Sequence, residues 1–349
     1  MSASSAKLIV ALPSKGRLQA QSVDFLSECG FDVRRRGNGR DYVTSLAGLD
    51  DVSVIYVRPD EIPARVEQAD AHIGITGEDL YREYGDGQPA SFLLMPNLGF
   101  GAARLVVAVP QSWVDVSTLN DLDEAAMVFH QKHGRTLRVA TKFPRLTRAF
   151  FAEQGIVEYS LVGSSGATEG APAAGVADFV VDLTSTGTTL AENHLKEIAG
   201  GTVLQTEACL VGSLRAPWSK RATAALEHLV EQIEARKRAT SQLVLRFSVP
   251  PRKGAAIRRE LSGTYNCVPI SWNGNGDASA AGGVGFDEAL CPRMRLYDVV
   301  KYLKSQGATA IVFDRGEFIF ERSSPAFETF SRMLEGRVAA AAAKSPAEN

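Results

Sequence analysis

Short apolar runs alternate with longer amphipathic stretches along most of this 349-residue chain, and few folds accommodate that alternation. Runs such as VSVIYV (Val52–Val57) have the length of buried strands, and stretches such as Arg145–Gln154 have helical periodicity. The pattern is typical of α/β proteins with a largely parallel sheet. It predicts strands at Leu8–Leu12, Val52–Val57, Ala71–Ile75, Leu105–Val109, Leu137–Ala140, Phe179–Val181 and Cys209–Val211. It predicts helices at Gln19–Cys29, Glu61–Gln68, Arg145–Gln154, the LAENHLKEI stretch after Thr189, and Ala222–Arg238.

These elements fall into two sets, which predicts two α/β lobes with a cleft between them. One lobe is assigned to residues 1–110 together with about 195–240, and the other to residues 111–194. Ligands of such folds bind at the carboxyl ends of the strands. Chemistry is therefore expected directly after each strand.

A different pattern begins at Gln242. Residues 241–323 give the order strand, helix, strand, strand, helix, strand, which is the βαββαβ order of a small ferredoxin-like domain. A linker rich in Gly, Ala and Ser interrupts it at Asn273–Gly283. Residues 324–349 are assigned to a terminal helix and a disordered tail, with the last fourteen residues frayed.

Composition excludes several classes of function. The 38 Lys and Arg are offset by 40 Asp and Glu, so nucleic acid is not expected as a partner. No run approaches the roughly 18 apolar residues of a membrane span, and the first residues lack the pattern of a signal peptide. A cytoplasmic protein is expected. The cysteines are widely scattered and predict reduced, mostly buried thiols: Cys29, Cys209, Cys267 and Cys291.

The stretch DLTSTGTTL (Asp182–Leu190) follows a predicted buried strand. Gly187 can take a positive φ that lets backbone N–H groups converge, and Asp182 stands at the mouth of the strand. Hydroxyl groups surround that glycine, from Thr184, Ser185, Thr186, Thr188 and Thr189. The combination predicts a phosphate site, and the lack of a lysine favours a phosphomonoester. The alternative is a strand-to-helix turn whose Thr residues serve only as caps.

Two further clusters follow strands of the first set. In LPSKGRL, Lys15 and Arg17 flank Gly16, so two cations share one turn with exposed backbone, as an oligophosphate requires. In GITGEDL, Gly77 is followed by Glu78 and Asp79 at the start of a helix. Acidic residues are favoured there by the helix dipole, so an ordinary helix start is the better interpretation of GITGEDL alone.

Two more clusters lie in the second set. In ATKFPRLTRAFF, Thr141 and Lys142 follow a strand, and Arg145 and Arg148 share one face of the next helix. Small residues surround Glu169 in the loop Ser164–Asp178, which lets a ligand approach the backbone, although a plain solvated loop is the alternative. Four of the five clusters thus follow strands, across both lobes.

LPSKGRL, GITGEDL, LGFGAARLVVAVP (Leu98–Pro110), ATKFPRLTRAFF, the Glu169 loop and DLTSTGTTL occur in an order and spacing that resemble the ATP phosphoribosyltransferase family. The resemblance covers about residues 7 to 215. It implies two lobes like those of periplasmic binding proteins, and a Mg²⁺-dependent reaction of ATP with phosphoribosyl pyrophosphate in the cleft. Six ordered motifs are a specific signal.

The resemblance also implies roles for individual residues. The Thr184–Thr189 loop would hold the 5-phosphate of phosphoribosyl pyrophosphate, and Asp182 would lie near the ribose hydroxyls or the metal. Lys15 and Arg17, with Arg104, would take the charge of the departing pyrophosphate. Lys15, Arg17 and Asp182 are the predicted catalytic residues. Predicted substrate contacts are Gly16, Gly77, Glu78, Asp79, Arg104, Thr141, Lys142, Glu169, Thr184, Ser185, Thr186, Gly187, Thr188 and Thr189.

No nucleophilic Ser, Cys or His is required for this reaction, and His72, inside a predicted strand, is expected in the core or behind the site. The family has a long form with a histidine-binding C-terminal domain and a hexameric assembly, and a short form that works with a synthetase-like partner. Residues 242–322 follow the long-form order, and LKSQGATAIVF (Leu303–Phe313) resembles its last helix and strand. The resemblance therefore implies a homo-oligomer inhibited by histidine, although NGNGDASAAGG and FDEALCPRMR depart from the family pattern.

Two alternatives belong to other classes: a two-lobed sensor for a phosphate-bearing ligand, and a non-catalytic regulatory paralogue. The pairing of SKGR with TSTGTT favours phosphates over amino acids as ligands, and the intact basic and hydroxylic motifs favour an enzyme over a silent copy.

Overall fold

The structure is a computed structural model that describes residues 7–34, 43–85, 90–164, 166–271 and 287–344. The chain forms two units, one of Met1–Leu226 with Glu328–Asn349 and one of Glu227–Phe327. No helix among the described residues is both long and apolar enough to cross a membrane.

The first unit contains a seven-stranded sheet in the order β2-β3-β4-β1-β5-β12-β6. Its strands are β1 (Leu8–Pro13), β2 (Val33–Arg34), β3 (Val43–Leu46), β4 (Val52–Val57), β5 (Ile73–Gly77), β6 (Ser91–Met95) and β12 (Ala208–Ser213). Strands β4, β1 and β5 are parallel, and β12 is antiparallel to β5 and β6. Because β1 and β5 are buried at nearly every position, their sequences are almost continuously apolar. The helices are α1 (Gly16–Glu28), α2 (Ile62–Glu67) and α3 (Glu78–Tyr84).

A five-stranded sheet in the order β11-β7-β10-β8-β9 forms the second lobe of the same unit. Its strands are β7 (Ala103–Pro110), β8 (Leu137–Thr141), β9 (Tyr159–Gly163), β10 (Phe179–Thr184) and β11 (Leu195–Thr206). Its helices are α4 (Leu119–His133), α5 (Pro144–Gln154) and α6 (Thr188–Glu192). The core is built around Phe151, whose ring contacts Tyr159 and Phe179.

Two element assignments that the sequence pattern favours are wrong. The strand at Leu105–Val109 is expected in the first lobe, but β7 pairs with β10 and β11 in the second sheet, which buries residues 105–109 completely. The helix expected in LAENHLKEI ends at Glu192, and a twelve-residue strand begins at Leu195. His194 takes a left-handed φ of 55°, which ends the helical path between the two elements.

The chain passes between the two sheets at two places, through residues 96–102 and through Glu207. The parallel strands β1 and β5 of one sheet and β8 and β10 of the other lead directly into the motifs that stand out in the sequence. The prediction of two α/β lobes is thereby confirmed.

The second unit contains a four-stranded antiparallel sheet in the order β14-β15-β13-β16. Its elements are β13 (Gln242–Ser248), α8 (Gly254–Gly263), β14 (Val268–Ser271), β15 (Asp287–Pro292), α9 (Leu296–Ser305) and β16 (Ala310–Asp314). This is the predicted ferredoxin-like βαββαβ order. The predicted linker Asn273–Gly283 lies outside the described residues.

Helix α7 (Lys220–Ser241) leads from the first unit into the second. The final helix, α10 (Pro325–Lys344), is longer than expected, because the alanine-rich stretch assigned to a frayed tail continues the helix to Lys344. The four cysteines are buried and carry free thiols, as predicted.

Candidate active site

The Thr loop, residues Thr184–Thr189, connects β10 to α6. Gly187 has a left-handed φ of 80°, and its N–H donates to the hydroxyl of Thr184 at 2.8 Å. Thr184 is buried, so its hydroxyl holds the loop backbone from the interior of the lobe. The remaining hydroxyl groups lie at the surface of the loop: Ser185, Thr186, Thr188 and Thr189. A surface of accessible hydroxyls around a left-handed glycine is a suitable phosphate site.

The turn after β1 carries the predicted cations. Lys15, Gly16 and Arg17 are all exposed, and Gly16 has a φ of 78°. This turn starts the thirteen-residue helix α1, whose first N–H groups receive no side-chain cap. Uncapped N–H groups and two neighbouring cations form an electropositive site for an anion.

The two motifs meet across the lobes. The Arg17 guanidinium donates to the Ser185 hydroxyl at 2.9 Å, although 168 positions separate the two residues in the chain. The structure therefore brings the basic turn after β1 in one lobe against the hydroxyl-rich loop of the other.

A second cluster lies beside the Thr loop and joins Asp182, Glu169 and Lys142. Burial raises the pKa of Asp182 to about 6; a hydrogen bond from Leu183 N–H and the charge of Lys142 oppose the rise, and the Glu169 carboxyl adds to it. In the hydrogen bond from Leu183 N–H to the Asp182 carboxylate, the nitrogen and oxygen are 2.9 Å apart. Glu169 lies in the short turn Thr168–Gly170, and Lys142 is exposed after β8. The structure thus brings two carboxyl groups and one ammonium group together from three segments of the second lobe: strand β10, the Thr168–Gly170 turn and the turn after β8.

Arg104 forms an ion pair with Glu197, a residue that the sequence pattern did not indicate. Its guanidinium donates to both oxygens of Glu197, at 2.7 and 3.0 Å. Glu197 lies in the stretch whose pattern favours a helix, and nothing in that pattern points to its side chain. Its carboxylate also lies below the Thr loop, 3.5 Å from where a Cβ on Gly187 would stand.

Arg104 also lines a cavity of about 390 Å³ at the junction of the lobes. The cavity is lined by Asn97, Ala102, Ala103, Arg104, Ser185, Gln205, Thr206 and Glu207. Because both connections between the sheets contribute to the lining, the cavity lies where the two lobes join.

The acidic residues after β5 are used internally. The Asp79 carboxylate accepts from the Thr206 hydroxyl at 2.8 Å, and burial raises its pKa. Glu78 accepts from the guanidinium of Arg82. A Cβ on Gly77 would collide with the Asp79 carboxylate, so Gly77 gives the buried acid its space.

The residues at the end of β8 and in the following helix differ in their contacts. Thr141 is buried, and its hydroxyl accepts from Phe143 N–H at 2.9 Å, which closes the turn before α5. The Arg145 guanidinium donates to the main-chain oxygen of Gly85 in the first lobe. Arg148 is exposed on the same helix.

His72 is buried, as predicted, and burial lowers its pKa. Its Nδ1 accepts from Ile9 N–H at 3.1 Å, and its Nε2 lies 3.3 Å from the main-chain oxygen of Pro217. His72 therefore holds strands together behind the site.

Comparison with known proteins finds relatives of this chain. Residues 58–235 match the family model described as "HisG: ATP phosphoribosyltransferase". The ATP phosphoribosyltransferase of Nitrobacter winogradskyi is 39% identical over 327 residues, covering 94% of this chain and 98% of the relative. That of Caulobacter vibrioides is 39% identical over 334 residues, covering 96% of this chain and 100% of the relative. Among solved structures, the "ATP phosphoribosyl transferase (HisG:HisZ) complex from Thermotoga maritima" has a chain that is 27% identical, with coverage of 65% of this chain and 98% of that chain and a TM-score of 0.49.

Proposed function

Since this chain belongs to the ATP phosphoribosyltransferase family and is a pentosyltransferase of histidine biosynthesis, we propose that it joins N1 of the adenine of ATP to C1 of phosphoribosyl pyrophosphate. The new N1–C1 bond forms as the bond from C1 to the pyrophosphate oxygen breaks. The products are 1-(5-phosphoribosyl)-ATP and pyrophosphate, and the reaction is the first step of the pathway. No covalent enzyme intermediate is required.

The Thr loop binds the 5-phosphate of the donor in this proposal. Its accessible hydroxyls offer hydrogen-bond donors to the oxygens of a monoester, and the left-handed Gly187 turns the backbone between them. The loop contains no lysine or arginine, which suits a phosphate that keeps its charge throughout the reaction.

Lys15, Arg17 and the start of α1 bind the pyrophosphate. Adenine N1 is a weak nucleophile, so catalysis depends on aligning N1 with C1 and on stabilising the charge that grows on the leaving group. The hydrogen bond from Arg17 to Ser185 is the single observation that carries the proposal. It supports a donor held at both ends, with the 5-phosphate on one lobe and the pyrophosphate on the other.

Asp182 and Glu169 fit a magnesium ion that arrives with the substrate. Mg²⁺ in phosphate sites prefers one or two carboxylates together with phosphate oxygens and water, and these two adjacent carboxyl groups supply that donor set. When bound, the ion would neutralise phosphate charge as the pyrophosphate departs. Asp182 would then orient the ribose hydroxyls, Glu169 would contact ATP or ribose, and Lys142 would balance the charge of both carboxylates.

An assay with ATP, phosphoribosyl pyrophosphate, Mg²⁺ and added pyrophosphatase tests the reaction through the ultraviolet change of the adenine ring. We expect turnover in the wild type, and a loss of at least about tenfold in both Lys15→Ala and Thr188→Ala without unfolding. Lys132→Ala, which removes an exposed lysine at the end of α4, is the matched control and should keep wild-type kinetics. No turnover in the wild type, or wild-type kinetics in both site variants, would contradict the assignment.

We extend the proposal to regulation and assembly: histidine inhibits the enzyme through the second unit, and the enzyme is a homo-hexamer. The ferredoxin-like order of that unit, which agrees with the long form of the family, supports this role. Histidine added to the same assay should lower the rate. An unchanged rate at saturating histidine would remove the regulatory part of the proposal and leave the reaction standing.

A further inference from the structure

The end of α3 in the first lobe holds the start of α5 in the second lobe. We call residues Glu83–Gly85 the α3 clasp. The two Glu83 oxygens accept from Arg145 N–H and Leu146 N–H, each at 2.9 Å. The Tyr84 hydroxyl donates to the main-chain oxygen of Lys142 at 3.3 Å, and the Arg145 guanidinium donates to the main-chain oxygen of Gly85. Three consecutive residues of one lobe thus engage Lys142 and the first turn of α5 in the other.

Glu83 supplies the cap that α5 lacks. Helix α5 begins at Pro144 after Phe143 and has no side-chain cap at its own N-cap position. The first N–H groups of a helix need acceptors, and a carboxylate also complements the positive end of the helix dipole. Glu83 is 7% exposed, so its burial is offset by these two charge-assisted hydrogen bonds.

The clasp fixes the backbone of Lys142. Thr141 closes the turn by accepting from Phe143 N–H, Tyr84 binds the carbonyl of Lys142, and Glu83 binds the helix that begins two residues later. Lys142 is the residue whose charge acts on Asp182. The position of this ammonium group in the second lobe is therefore set by a carboxylate of the first.

We propose that Glu83 is a positioning residue that acts through Lys142, so that Lys142 faces Asp182 only when α3 holds α5. The inference rests on the proposed function of Lys142 in the site. Glu83 itself contacts no substrate in this arrangement.

A double-mutant cycle tests the positioning role. Glu83→Gln keeps the size and one acceptor but loses the charge, and Lys142→Ala removes the group that Glu83 is inferred to position. We expect each single variant to lower kcat by about tenfold or more, and the double variant to be no slower than Lys142→Ala alone, because coupled residues are not additive. If the two factors multiply in the double variant, Glu83 does not act through Lys142 and the inference is overturned.

Asp121→Asn is the matched control for stability. The Asp121 carboxylate also accepts from two backbone N–H groups at the start of a helix of the second lobe, those of Ser117 and Thr118, at 2.9 and 2.8 Å. Both variants should lower Tm, but only Glu83→Gln should lower kcat. An effect of Glu83→Gln on Tm alone would overturn the inference.

Tyr84→Phe provides a test that does not depend on a buried residue. Tyr84 is 44% exposed, so the variant should fold and lose only its hydrogen bond to Lys142. We expect a lower kcat than wild type in the presence of Lys142 and no further loss in the Lys142→Ala background. An equal loss in both backgrounds would contradict the clasp, whereas absence of turnover in the wild type would contradict the proposed function and the positioning role with it.

Discussion

Thr184 has the same residue type as its neighbours at the surface of the Thr loop but a different task. Its buried hydroxyl accepts from the N–H of Gly187, the residue whose left-handed φ turns the chain toward α6. The sequence predicts a phosphate contact for every hydroxyl of the loop, because a pattern of residue types does not tell which side chains point inward. The structure makes Thr184 the support of the loop.

We expect Thr184→Val to weaken substrate binding at the Thr loop without removing a direct contact to the substrate. Valine keeps the shape but removes the acceptor, so Gly187 N–H loses its partner, which costs about 1–3 kcal/mol of stability. The KM for phosphoribosyl pyrophosphate should rise severalfold, measured in the adenine assay. Thr184→Ser, which keeps the hydroxyl, is the control and should stay near wild type; a valine variant with wild-type KM would show that the loop does not need this bond.

The ion pair of Arg104 with Glu197 orients the Arg104 side chain more than it stabilises the fold. Both side chains are about a third exposed, at 39% and 30%, and such pairs contribute little to the free energy of unfolding. The bidentate geometry instead fixes the direction of the guanidinium at the rim of the junction cavity.

At the scale of elements, the strands of the parallel cores are predictable from the sequence and several other elements are not. Strands such as β1, β5 and β10 are largely buried, and apolar continuity reflects burial directly. Helix α4 is absent from the predicted elements although its ends carry signals: Thr118 and Asp121 form a capping box, and Gly134 ends the helix in a left-handed conformation. The start of strand β11 resembles a helix in sequence because Lys196 and Glu197 give it the polarity of a helix surface.

The candidate site is predictable where it depends on strand ends. Parallel strands deliver their following loops to one edge of a sheet, so the residue pattern alone groups Lys142, which follows β8, with the Thr loop, which follows β10. Contacts made by chain segments distant in sequence are not predictable in this way. Glu83 caps a helix that begins 61 positions later, and nothing local distinguishes it from other acidic residues at the end of a helix.

At the scale of the whole molecule, the last helix of the chain belongs to the first unit, not to the second unit that precedes it in sequence. Phe330 of α10 is 1% exposed, and its ring packs edge-on against Trp218 with centroids 4.5 Å apart. It also stacks on Phe92 of β6 at 6.3 Å. Trp218 in turn meets the buried ring of His72 at 4.9 Å. Folding of the first unit therefore uses residues from both ends of the sequence.

We expect Phe330→Ala to destabilise the first unit by about 3–5 kcal/mol, because a buried aromatic ring is replaced by a cavity among Phe92 and Trp218. Met333→Ala on the same helix is the control, since Met333 is 42% exposed and should change stability by less than about 0.5 kcal/mol. Urea unfolding followed by circular dichroism measures both.

A chain that ends at Phe327 should lose at least as much stability as Phe330→Ala, because it lacks all of this packing. If Phe330→Ala has the same urea midpoint of unfolding as the wild type, α10 does not stabilise the first unit. Removal of the second unit together with α10 should then leave the two lobes intact.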